Sequence, residues 1–133
     1  MLVIRVVFVP FWQRLSPDAF REWFRDNSGR IGAVMFPLGA AATLSATAAA
    51  VVSRDLPQAQ RRPLWLAAAC SIGVTVVTLV VNEPANEQFN GSDLPVAETP
   101  ALLVRWRRWH NIRVLLGAAA AVSVARSVRS AAR

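Results

Sequence analysis

The sequence predicts an all-α integral membrane protein, a bundle of three to four helices whose first member is short or truncated. Three observations carry that prediction. The chain is 54% hydrophobic and only 17% charged, and its apolar residues are gathered into runs rather than spread along one face of each element. That pattern is expected where lipid is the solvent. Two runs, 31–52 and 64–82, hold no charged residue, and each has roughly the 20 residues that cross a ~30 Å hydrocarbon core at 1.5 Å per residue. Finally, all the basic residues are Arg, and they sit at the ends of the runs and between them, where headgroups and topology signals place them. The net charge of +7 therefore points to membrane lipid rather than nucleic acid, which needs a continuous basic face. At 133 residues the chain reads as one membrane helical-bundle domain, 1–133.

Residues 1–12 are apolar but short for a span. They read as the second half of a membrane helix whose beginning lies upstream, or as a short, partly inserted helix with Trp12 at the interface. Ser16-Pro17-Asp18 suits a helix start, with Ser16 as cap and Pro17 in the first turn. Phe20, Trp23 and Phe24 then recur at helical spacing among Arg21, Glu22, Arg25 and Asp26. This predicts an amphipathic helix over 17–27, ended by Asn27-Ser28-Gly29.

The run 31–52 is the clearest span. Gly39, Ala42, Thr43, Ala46 and Ala50 give it a small-residue face, which allows close helix association within or between chains, a homo-oligomer included. The loop 53–63 carries Arg54, Arg61 and Arg62, the usual cytoplasmic signature. A second span covers 64–82, with Cys70 as a small buried hydrophobe. Thr99-Pro100 suits another helix start, and the last helix is expected over 100–128. If the 53–63 loop is cytoplasmic, the C-terminus is too, and the stretch 82–113 meets the opposite face.

That stretch holds most of the residues able to do chemistry. Asn82 and Asn86 are four apart, although Pro84 between them disfavours helical angles at Glu83. The two amides either hold a carbonyl or oxyanion, or cap a broken helix end and bond across the bundle. Trp106, His110 and Arg113 share one helical face. They supply either an aromatic wall, a base and a fixed cation, or an interface anchor with Arg113 paired to Glu83 or Glu87. A single His offers no metal site of zinc-like spacing, and phosphate-loop and dinucleotide fingerprints are missing.

Asn82-x-Pro84-x-Asn86, a loop, and then Trp106-x-x-Trp109-His110-x-x-Arg113 resemble the DUF1772 family of small membrane proteins, which includes the fungal anthrone oxygenases. Pro10, Phe20-x-x-Trp23 and Ile31-Gly32 with Pro37 extend the resemblance to the first third of the chain. The resemblance implies a four-helix membrane bundle. It also implies oxidation of anthrones to anthraquinones by molecular oxygen, with no cofactor and no metal. On that reading His110 takes a proton while Asn86 and Arg113 hold the substrate oxygen. Trp106 and Trp109 stack a flat aromatic or polyketide-like substrate, with Asn82 beside them. The alternative is a non-catalytic accessory or lipophile-binding membrane protein. The expected location is a bacterial cell membrane.

Overall fold

The computed structural model describes residues 1–131, and its regular elements are all helical. A π-helical turn, Ile4–Phe8, leads into α1, Val9–Trp12. The long helix α2 spans Pro17–Val52. Helix α3, Gln58–Val77, passes through a second π turn, Thr78–Asn82, into α4, Glu83–Asn90. After a bend and a 3-10 turn at Val96–Glu98 comes α5, Thr99–Ala131. Three helical rods, Pro17–Val52, Gln58–Asn90 and Val96–Ala131, are long and apolar enough to cross a membrane.

The helices run further than the sequence suggests. The expected amphipathic helix 17–27 and the span 31–52 are one 36-residue helix, begun as anticipated by the Ser16 cap on the Ala19 N–H. Asn27-Ser28-Gly29 does not end it. A glycine stop needs the left-handed conformation, and no glycine among the described residues has positive φ. Instead Asn27 Nδ2 donates to the Trp23 carbonyl one turn back, and Ser28 Oγ donates across to Asn90. The expected 64–82 span likewise extends to Gln58 and Asn90. In an apolar medium each extra turn satisfies its own backbone, so the continuous rod is favoured over a break.

Pro84 and Pro10 are accommodated by the same device. Each sits in the first turn of an α segment directly after a π turn. Glu83 keeps helical angles (φ −66°, ψ −46°), contrary to the expectation for a residue before proline. Its N–H reaches five residues back to Thr78 O, as the Val9 N–H does to Ile4 O. The wider turn gives the pyrrolidine ring room and lets the rod continue without the N–H that proline lacks. It also re-aims the side chains that follow, and Asn82 ends fully buried.

Along the charge-free spans α3 packs between α2 and α5. Thr43 Oγ1 lies 3.0 Å from Thr75 Oγ1 and 3.3 Å from the Ser71 carbonyl, joining α2 to α3. The small-residue face of α2 is only partly used: Ala50 is buried, whereas Gly39 and Ala42 are exposed. Ser127 Oγ donates to Gln60 O, so the end of α5 lies beside the start of α3.

The other end is an aromatic core. Trp12, expected at the interface, is buried within it, edge-on to Phe20, Phe24 and Trp106 at centroid distances of 5.5–5.8 Å. Phe89 closes the cluster against Phe20 and Phe24. Each such pair contributes about 0.5–1.5 kcal/mol beyond area burial. Arg21, which the sequence places on the polar face of a surface helix, is buried here. Its guanidinium donates to Leu94 O at 2.8 Å and to Gly91 O, and so fastens the 91–94 bend onto α2. Hydrogen bonds from a charged donor are worth about 1.5–3 kcal/mol. Arg21→Ala should therefore lower stability in detergent by roughly 2 kcal/mol or more and speed proteolysis at 91–98, while the α2–α3 end keeps its hydrogen-exchange protection.

A closed polar ladder between α5 and the second π turn

Trp106, His110 and Arg113 occupy successive turns of one face of α5, as their spacing predicts, and all three are buried. That face looks onto the π turn Thr78–Asn82 and the start of α4. Asn82 Nδ2 donates to the Trp106 carbonyl at 3.3 Å. Trp106 Nε1 donates to Asn86 Oδ1 at 2.8 Å, and Asn86 Nδ2 donates in turn to Glu83 Oε1 at 2.8 Å. The Trp106 indole and the His110 imidazole are stacked, 4.8 Å between centroids and 8° apart in plane. The Arg113 guanidinium lies 5.9 Å from the same indole.

Arg113 is held by neutral groups. One amino group donates to Thr78 Oγ1 at 2.9 Å, the other to His110 Nδ1 at 2.7 Å. The Thr78 hydroxyl gives its own proton to Val74 O at 2.7 Å, which leaves a lone pair for the guanidinium. The expected pairing with Glu83 or Glu87 is not made. The one ion pair among the described residues is the exposed Arg54–Asp55 contact. Arg113 Nε and Asn82 Oδ1 are buried without a partner.

This arrangement decides the tautomer of His110. A guanidinium can only donate, so Nδ1 is the acceptor and the ring proton sits on Nε2, 3.2 Å from the Met1 carbonyl. Both ring nitrogens are thus engaged, and the side chain has no exposed surface. His110 can accept a proton only when Arg113 releases Nδ1.

Of the residues singled out in the sequence, Asn82, Asn86, Trp106, His110 and Arg113 come together. Trp109 does not: it is 37% exposed, at the edge of that face of α5. Thr78, Glu83 and the Met1 carbonyl complete the ladder and were not anticipated in these roles. Thr78, Asn82 and Asn86 recur every four residues, so the signal was present. The proline at 84 concealed it by suggesting a broken helix. Because the chain has a single histidine, ring 15N NMR in micelles reads this site alone. It should show one protonated and one bare nitrogen, with Nδ1 bare. Arg113→Met should release Nδ1 and change its resonance most.

The anthrone oxygenase family model matches residues 26–123, which takes in the whole ladder except the Met1 carbonyl and leaves Trp12, Phe20 and Phe24 outside. No curated protein and no solved structure matches the chain. The matched stretch covers most of the sequence, including both Asn residues and the Trp-His-Arg face of α5. The chain belongs to the anthrone oxygenase family.

Proposed function

We propose that this protein is a membrane-embedded oxygenase that converts a flat aromatic or polyketide-like substrate of the anthrone type, without a cofactor, in a bacterial cell membrane. The observation that carries this reading is the state of Arg113: a guanidinium buried in an apolar bundle and held by a hydroxyl and a neutral imidazole, with no carboxylate in direct ion-pair contact. Charged groups inside membrane bundles are costly and mark functional positions. A preorganised cation in a dry site favours whatever anion develops beside it.

An anthrone supplies that anion. Its central methylene is flanked by two aryl rings and activated by the carbonyl across the ring. Loss of one C–H proton delocalises the electron pair onto that oxygen as a phenolate-like anion. In the proposed sequence the substrate oxygen takes over Arg113 from His110, which frees Nδ1 to accept the C–H proton. Trp106 stacks the imidazole in place, Asn86 accepts from its indole N–H and Asn82 donates to its backbone carbonyl. The carbanion then reduces dioxygen, the carbon–oxygen bond forms as a peroxide, and loss of water leaves a ketone. One methylene and one O2 give one carbonyl and one water, so no external reductant is required.

A second reading is favoured by a specific observation, the complete closure of His110. A ladder that only ties α5 to the π turn would belong to a non-catalytic accessory or lipophile-binding protein. Oxygen uptake by the purified protein with anthrone separates the two. The oxygenase reading expects one O2 consumed per anthraquinone formed. It further expects His110→Ala and Arg113→Leu each to lower kcat by about 10²–10³-fold in protein that still folds. Turnover retained in folded His110→Ala would remove the base from the mechanism, and no uptake by the wild type would favour the second reading.

A further inference from the structure

On the far side of Trp12 from the closed ladder, a cleft of about 230 Å³ opens between the 13–17 turn and the first turns of α5. Trp12, Phe20, Pro100 and Leu103 give it apolar walls, and Thr99 and Arg107 are also part of its lining. Two of these residues carry a polar atom with no partner. Trp12 Nε1 and Thr99 Oγ1 are both unbonded, although the residues are only 3% and 1% exposed. Buried donors are almost always satisfied, because an orphan forfeits its bonds to water without replacement.

Thr99 is a natural helix cap by type, yet its own backbone is helical (φ −53°, ψ −44°) and its hydroxyl caps nothing. An indole nitrogen can only donate. A hydroxyl can donate as well as accept, so a single acceptor satisfies both groups. The start of α5 lies at the same place, with the positive end of its helix dipole, and Arg107 adds a full cation. The walls ask for an apolar body, and the polar groups ask for an electron-rich oxygen.

We propose that this cleft binds a compact, flat aromatic ligand by a ring carbonyl or phenolate oxygen that accepts from the Trp12 N–H and the Thr99 hydroxyl. Its volume lies below the ~300–1,000 Å³ of drug-sized pockets, which limits the occupant to a few fused rings. The ligand class rests on the proposed function, whereas the site itself rests on the two orphaned donors. Trp12 also meets Trp106 edge-on at 5.5 Å, and Trp106 stacks on His110, so the cleft and the ladder share one aromatic wall.

The test is titration of the full-length protein in detergent with 1,8-dihydroxyanthraquinone, followed by the absorbance shift of the quinone. Leu103→Trp, which fills the cleft, should weaken binding at least about tenfold. Thr99→Val, which keeps the shape and removes the hydroxyl, should weaken it roughly five- to tenfold without lowering the melting temperature. Unchanged binding in both cleft variants overturns the proposal, as does absence of binding to the wild type or displacement of the quinone by equimolar phosphatidylglycerol. Intact binding with no oxygen uptake leaves the cleft standing and removes the oxygenase reading instead.

Discussion

A guanidinium in an apolar bundle has to be satisfied, and here no carboxylate does it. Arg113 takes one acceptor from the π turn and one from its own helix, three residues away. The first bond fixes the register of α5 against the rod Gln58–Asn90, and the second fixes the tautomer and orientation of His110. Trp106 stacks on that imidazole and is itself held by Asn86. The π turn is the condition for all of this, because it carries the helix past Pro84 while turning Thr78 and Asn82 toward α5. An α-helical register at the same place would send these side chains elsewhere.

The molecule divides its polar chemistry between two environments. The ladder is closed, with its hydrogen bonds largely satisfied and its cation held without a direct ion pair. The cleft beyond Trp12 has the opposite character: it is accessible, and two of its donors lack acceptors. The pair Trp12–Trp106 is the shared wall. On the proposed reading the cleft recruits the compound and the ladder stabilises the charge it develops. The Arg21 clamp serves the same end of the bundle by holding the 91–94 bend over the aromatic core.

Much of this was legible in the sequence, for reasons that differ by region. The charge-free runs announce membrane helices because composition and length alone decide that question. The 3.6-residue period of α5 puts Trp106, His110 and Arg113 on one face without help from tertiary structure. Helix ends were read too early, since Asn27-Ser28-Gly29 and Pro84 are stop signals only where water can take the freed backbone groups. Partners were harder. Arg113 looked for a carboxylate in the sequence and found Thr78, because charge suggests a pairing that the π turn does not present. Trp109 stands one turn from Trp106 and pairs with it in the sequence pattern, yet it lies at the edge of that face and stays exposed while Trp106 is buried. Arg21 looked like a surface charge because the carbonyls it holds, 70 and 73 residues away, leave no trace in composition.

The link on which the account rests is the bond between Arg113 and Thr78. A double-mutant cycle of Arg113→Met and Thr78→Val, read as unfolding free energy in detergent, measures it directly. The account predicts a coupling of at least about 1 kcal/mol, the worth of a buried charge-assisted hydrogen bond across two helices. Additivity within about 0.5 kcal/mol would contradict it.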